Sequence, residues 1–211
     1  DKWMKGTVNS FYIGFVSTFL ATALGTIAAL GLSRPHMPFK GLIMAILISP
    51  MIVPLIITAA GMFFFYSKLG LTHSYTGLIL AHTALGTPFV VITVTATLTG
   101  FDNNLIRASQ SLGADTMRTF FKVIMPLILP GVISGALFAF ITSFDEVVVV
   151  LFVGSVEQVT IPRQMWAGLR QEISPVILCM ATCLVALSIA LLTTVELLRR
   201  RSERLRGIKH R

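Results

Sequence analysis

The stretch GFDNNLIRASQSLGADTMRTFFKVIMPLILPG, residues 100–131, is a polar segment inside an otherwise strongly apolar chain. After the turn-prone run DNN at 102–104, apolar or small residues recur at helical spacing, namely Leu105, Ala108, Leu112 and Ala114. This pattern predicts a short helix from about Asn104 to Leu112, with Gly113 ending or bending it. A polar loop of about 25 residues is longer than a simple connection requires, so we interpret it as a docking surface.

The composition on either side of this loop is that of a membrane protein. Of the 211 residues, 55% are hydrophobic and 12% charged, and the mean hydropathy is +0.83. Runs of about 20 apolar residues, enough to cross a bilayer, predict five spans at residues 8–33, 41–67, 74–100, 127–154 and 173–195. The predicted fold class is therefore all-α and polytopic, with residues 1–211 forming a single transmembrane domain.

The placement of basic residues predicts the orientation. If the C-terminus lies inside, the inner segments hold twelve of the 17 Lys and Arg residues and the outer segments five, as the positive-inside rule expects. The tail at 199–211 carries seven of them. Nucleic acid could attract such a tail, but beside a span it more simply anchors the cytoplasmic end. The N-terminal DKWMKGTVNS has no cleavable signal pattern.

Several single residues favour ordinary packing roles. His82 in the third span has no second His or Cys at ligand spacing, so a hydrogen-bonded packing role is favoured over metal binding. Cys179 and Cys183, four residues apart, are interpreted as packing residues of the last span. No metal or cofactor is predicted. Pro50 and Pro54 should kink the second span, either as fixed packing or as a helix that bends during gating.

Two adjacent acids interrupt the fourth predicted span. Asp145 and Glu146 lie in the run LFAFITSFDEVVVVLFVG at 137–154, where a central Asp costs about 2.5 to 3.5 kcal/mol on insertion scales. If the helix is continuous, Asp145 shares a seam with Thr142, Phe138, Gly135 and Gly131, which either packs on other helices or lines a cavity.

Two interpretations of this acidic pair stay open. In the first, Asp145 and Thr142 face a pathway for a cationic solute and Glu146 supports the local field. In the second, both acids snorkel to water or pair with Arg163 or Arg170 and only stabilise the fold.

The loop resembles the signature of permease subunits of binding-protein-dependent ABC importers. That signature is E-A-A, three residues, Gly, nine residues and I-x-L-P. Here Arg107-Ala108-Ser109, Gly113 and the segment VIMP ending at Pro126 keep the same spacing, with Arg107 and Ser109 as departures. The stretches ISPMIVPLIITAAG, SFDEVVVVLFV and TIPRQMWAGLRQEISP are similar to the spermidine/putrescine branch of these permeases.

The resemblance implies a type I importer permease in the bacterial inner membrane. It implies coupling to a separate ATPase through the loop at 101–126, with Arg107, Ala108, Ser109, Leu112, Gly113 and Pro126 at the contact. It also implies a second permease subunit, a different chain, and an extracytoplasmic binding protein. The family core usually follows one further span, which would precede this sequence. The absence of a GxxxxGK[ST] phosphate loop agrees with an ATPase on another subunit.

Alternative functions remain open at this point. The solute could be a polyamine or another small nitrogenous compound such as an amino acid, opine or aminophosphonate. An ion-coupled secondary transporter using Asp145 or Glu146 is a different class, and dependence of uptake on an ATPase separates the two. An intramembrane enzyme has no triad or paired-His arrangement to support it.

Overall fold

The computed structural model describes residues 2–34, 36–102, 104–171 and 175–205. Over these residues it contains ten α-helices and one π-helical turn. They are α1 Lys2–Leu32, α2 Lys40–Ile52, α3 Leu55–Lys68, α4 Tyr75–Thr99, α5 Asn104–Ser111, α6 Thr116–Thr119, α7 Met125–Phe144, α8 Val148–Val153, α9 Ile161–Gln171 and α10 Pro175–Leu205, with the π turn Phe120–Ile124 joining α6 to α7.

Helices α1, α4 and α7 form the packed centre of the molecule. Their inner faces carry small and branched residues, among them Ala21, Ala29, Val90, Val94, Ile128 and Ala139. A Cβ atom on Gly135 of α7 would lie 2.8 Å from the Cα of Val90 on α4, so the two backbones touch at this point. Membrane helices associate through such small-residue contacts, because lipid supplies no hydrophobic drive between them.

The second predicted span is bent, as Pro50 and Pro54 predict. The chain bends by 105° between α2 and α3. The break lies at Val53 and Pro54, which belong to neither helix. Pro54 cannot donate a backbone hydrogen bond, so the helix ends before it.

The bent pair nevertheless crosses the bundle. Helix α2 begins a few residues after the end of α1. Beyond the end of α3, the His73 N–H donates to the Val153 carbonyl oxygen at 2.8 Å, and Tyr75 Oη donates to Asn9 near the start of α1. The pair thus runs from one end of α1 to the other, which brings the number of spans to the predicted five.

The fourth span differs from its prediction at both ends. It is a continuous helix from Thr116 to Phe144, so it begins well before residue 127 and includes the second half of the polar loop. It then breaks over residues 145–147, and the short helix α8 follows. The expectation of one helix through residue 154 is wrong, because the valine-rich run after Glu146 starts a new helix.

The loop between α8 and α9 is fixed to the start of α1. Asn9 Nδ2 donates to the carbonyl oxygens of Glu157 and Val159, at 2.8 and 2.9 Å. Ser10 Oγ accepts from the Ile161 N–H at 2.9 Å. By the predicted orientation, this fixed loop lies on the outer side of the membrane.

Helix α10 is the fifth span and lies at the edge of the bundle. Only 6% of its most apolar segment, within Pro175–Thr194, is buried against the rest of this chain. Cys179 and Cys183 are both exposed. The backbone of α10 continues to Leu205, and the basic tail predicted at 199–211 has its side chains outside the described part.

Candidate functional site

The predicted docking helix is present as α5, and its two ends are fixed by hydrogen bonds. Asp102 Oδ1 accepts from the Asn104 N–H at 2.9 Å. At the other end, the N–H groups of Gly113 and Ala114 donate back to the carbonyl oxygens of Gln110 and Ser109. Gly113 has φ +80°, so the helix closes in a Schellman motif that favours glycine.

Helix α5 has one face against the bundle and one face free. On the inner face, Ser109 Oγ lies 3.0 Å from Thr119 Oγ1, which joins α5 to α6. On the outer face, Leu112 is 88% exposed and Leu105 43%, and Arg107 and Ala108 are also exposed. The apolar side predicted from the sequence therefore points away from the protein.

Helix α6, which follows α5 after a short non-helical turn, continues without a break into the fourth span. Asp115 Oδ1 accepts from the Arg118 N–H at 2.7 Å and so caps the start of α6. The π turn follows, in which the Met125 N–H donates to the Phe120 carbonyl oxygen. Pro126, the last residue of the family-like signature, stands just beyond it. Because Pro126 has no N–H to donate, the local helical ladder is already perturbed here, where π turns are common.

Asp145 and Glu146 lie at the break between α7 and α8. Asp145 is exposed, and its backbone N–H donates to the Ile141 carbonyl oxygen, which ends α7. Glu146 is 6% exposed, and its Oε1 accepts from the Val149 N–H at 2.8 Å. The two neighbouring acids therefore have different environments, and Glu146 caps the start of α8.

Most of the seam predicted below Asp145 packs against α4. Gly131 and Gly135 are buried beside Thr97 and Thr93, and the Phe138 ring stacks on Phe89 with centroids 6.1 Å apart. The seam was expected either to pack on other helices or to line a cavity, and these three residues pack on another helix. Thr142 is half-buried one turn before the break.

Among the described contacts of Arg163 and Arg170, none involves Asp145 or Glu146, so of the second interpretation of the acid pair the contact with water remains. Arg163 Nη1 donates to the Ser155 carbonyl oxygen at 2.6 Å, and the Arg170 guanidinium carbon lies 5.1 Å from the Trp166 ring centroid. Both arginines belong to α9, an amphipathic helix between the fourth and fifth spans. This helix is not among those predicted from the sequence. Each is therefore engaged close to its own helix.

Buried hydrogen bonds between side chains join the three central helices. Contacts between these side chains were not predicted from the sequence. His82 Nδ1 lies 2.7 Å from Ser143 Oγ, which lies 3.1 Å from Ser17 Oγ. His82 is 1% exposed, so its interpretation as a hydrogen-bonded packing residue is confirmed. Polar residues in otherwise apolar spans are the only sequence signal for such a link, and they do not specify partners.

The chain has five spans, three of which pack together as the centre of the bundle, and a capped amphipathic helix with an outward-facing apolar side lies at one end. The family model of the binding-protein-dependent transport system inner membrane component matches residues 21–204, and the chain belongs to this family. It is thus a multi-pass membrane transport subunit, and the resemblance to ABC importer permeases is confirmed.

Curated relatives and solved structures agree with this assignment. The chain is 31% identical over 202 residues to the spermidine/putrescine transport system permease protein PotC of Haemophilus influenzae, covering 96% of this chain and 79% of that one. It is 28% identical over 193 residues to the putrescine transport system permease protein PotI of Escherichia coli, covering 88% and 68%. The fold matches the MetNI methionine ABC transporter in inward-facing conformations with a TM-score of 0.65 and 22% identity, over 99% of this chain and 96% of that one.

The different environments of the two acids predict different effects on stability. Glu146→Ala leaves the buried Val149 N–H without its acceptor, so the free energy of unfolding should fall by about 1 kcal/mol. Glu146→Gln keeps an acceptor oxygen and should retain most of the stability. Thermal unfolding of the purified permease in detergent measures both variants.

The matched control is Asp145→Ala, which removes an exposed carboxylate and should change stability by less than about 0.5 kcal/mol. Equal losses in Asp145→Ala and Glu146→Ala would contradict the assignment of the cap to Glu146.

Proposed function

We propose that this chain forms one half of the solute pathway of an ATP-driven importer for polyamines such as spermidine and putrescine. A separate ATPase hydrolyses ATP, a second and different permease chain completes the pathway, and an extracytoplasmic binding protein delivers the solute. The observation that carries the coupling role is α5, a helix fixed at both ends whose apolar side is exposed. The substrate class is supported by the similarity to PotC and PotI over most of the chain.

The exposed face of α5 fits a partner protein on the side predicted to be cytoplasmic. Leu112 is 88% exposed, and Leu105 on the same side of α5 is 43% exposed. Amphipathic helices commonly lay such apolar anchors into a groove of a partner. Arg107, also exposed, adds a positive charge beside these anchors and would pair with an acidic rim on the ATPase.

The connection from α5 to the acidic break supports transmission of movement along one helix. Ser109 and Thr119 join α5 to α6, and the helix from Thr116 then continues to Phe144. At 29 residues it is about 43 Å long, so it spans the bilayer. A displacement of α5 by the ATPase would therefore shift the end of α7 that carries Asp145.

Asp145 is the residue we place in the solute pathway. Its exposed carboxylate lies at the end of α7, with the half-buried hydroxyl-bearing Thr142 one turn away. Intramembrane acids are characteristic of cation pathways. Weak binding suffices here, because a tight site would retain the solute instead of passing it on. Glu146 holds the start of α8 in place and supports the local field.

The bent span supports pairing with the second permease. Helix α2 has no buried residue within this chain, and apolar side chains are exposed along α2 and α3, among them Leu42, Ile46, Ile57, Phe64 and Phe65.

At the end of the bundle opposite to α5, Val156 is 82% exposed in the loop held by Asn9. This rigid outer loop is our candidate contact for the binding protein.

Uptake into proteoliposomes tests the pathway and the substrate class together. The assembled transporter, supplied with its binding protein and internal ATP, should accumulate labelled putrescine or spermidine. Asp145→Asn removes the charge at nearly constant size, so uptake should fall strongly while the complex still assembles. Asp145→Glu keeps the carboxylate and should retain most of the uptake.

Three results would contradict parts of this proposal. Uptake that continues without the ATPase would indicate a secondary transporter. Uptake of another nitrogenous solute in place of polyamines would reject the substrate class. Full uptake by Asp145→Asn, or loss of the complex in that variant, would reject the pathway role of Asp145.

Gly113 provides a test of coupling. A valine at φ +80° would be in the left-handed region, which costs an L-residue about 1–2 kcal/mol, so Gly113→Val should change the angle at which the chain leaves α5. The variant should insert and assemble, yet hydrolyse ATP with little uptake. Gly100→Val is the matched control, because Gly100 has φ −92° and open space around it. Normal uptake by Gly113→Val would show that α5 is not the coupling element.

A further inference from the structure

A cavity of about 420 Å³ lies behind α5, on the side opposite to its exposed face. Its walls come from the ends of α1 and α4, from α5 and from the helix that leads into α7. Most of the lining is apolar, with Leu30, Leu98, Phe101, Ile106, Phe120 and Ile124 contributing. The volume lies within the range of pockets that hold small ligands.

The mouth of this cavity is basic. Arg34, at the end of α1, lines the cavity and also a neighbouring recess that includes His36. Both side chains are exposed. Among the described residues that line the cavity or this recess, none is acidic. The cavity therefore combines an apolar interior with a positively charged entrance.

The position of the cavity relates it to the membrane surface. Helices α1 and α4 are spans, so their ends at Leu32 and Thr99 lie where the hydrocarbon meets the headgroup layer. By the positive-inside arrangement this is the cytoplasmic leaflet, and basic pockets between spans on that side suit anionic lipid headgroups. A cationic solute would be repelled by Arg34. A nucleotide would leave its polar groups unpaired against the apolar walls.

We propose that this cavity binds one anionic phospholipid, with an acyl chain among the apolar walls and the phosphate at Arg34. The bound lipid supports α5 from behind, because Ile106 and Gln110 of α5 are part of the lining. The outer face with Leu105 and Leu112 remains free. The further consequence, that the lipid strengthens coupling to the ATPase, rests on the proposed function, whereas lipid binding itself does not.

Native mass spectrometry of the assembled transporter tests the lipid site directly. The complex is purified, delipidated and exposed to phosphatidylglycerol or phosphatidylcholine with identical acyl chains. The wild type should retain phosphatidylglycerol in preference, at about one lipid per copy of this chain. Arg34→Gln should reduce retention of phosphatidylglycerol about fivefold, equal to about 1 kcal/mol for one basic side chain near the membrane surface, while retention of phosphatidylcholine stays unchanged.

Two further variants separate this site from nonspecific binding. Lys68→Gln removes an exposed basic residue at the opposite end of the bundle, at the end of α3, and should leave retention unchanged. Leu98→Trp adds bulk to the cavity wall and should reduce retention of phosphatidylglycerol. Equal retention of both lipids by the wild type, equal effects of Arg34→Gln and Lys68→Gln, or a free fatty acid as the retained species would overturn the proposal.

If Arg34→Gln fails to assemble, the preference of the wild type for phosphatidylglycerol over phosphatidylcholine still tests the lipid site. Because lipid retention is read without solute or ATP, its outcome is independent of the uptake experiment. A transporter that imports polyamines but shows no lipid preference would refute only the lipid site. A retained phosphatidylglycerol on a complex that does not import polyamines would refute only the proposed function.

Discussion

The contact between α4 and α7 at Gly135 is the constraint on which the rest of the molecule depends. With 2.8 Å between a Cβ at this position and the Val90 Cα atom, α7 cannot approach α4 as closely with any other residue there. The contact fixes the helix that joins the docking segment at one end to Asp145 at the other. Ser143, near the end of the same helix, is held by His82 and Ser17, so α7 is positioned within this chain both at its middle and near its C-terminal end.

Several helix ends in the described part of the chain carry local hydrogen bonds that replace those lost from the helix. Asp102 and the Schellman motif at Gly113 close α5, Asp115 starts α6, and Glu146 starts α8. In an apolar environment unsatisfied backbone groups are costly, so these caps determine where the chain can turn. The need to satisfy backbone groups explains one of the two acids in this apolar run. Glu146 accepts a hydrogen bond from the backbone at the start of α8, whereas Asp145 is exposed at the surface.

Much of this architecture could be predicted from the sequence because its signals are local. Long apolar runs located the five spans, Pro50 and Pro54 predicted the bend, and the polar loop predicted α5 to within one residue at its C-terminal end. The break after Phe144 could not be predicted in this way, since a run of valines is equally compatible with a continuing helix. The partners of Ser143, His82 and Ser17, depend on how distant segments pack, which one sequence does not specify. The solute pathway and the coupling contact remain proposals for the same reason, because they involve other chains.

The central claim is that α5 contacts the ATPase while the loop at Val156 lies on the other side of the membrane. A photo-crosslinking amino acid in place of Leu112, and in a second variant in place of Val156, tests this claim in the intact transporter in membranes. We expect the probe at position 112 to capture the ATPase and the probe at 156 to capture only the extracytoplasmic binding protein. Capture of the ATPase from position 156, or of the binding protein from position 112, would contradict the account.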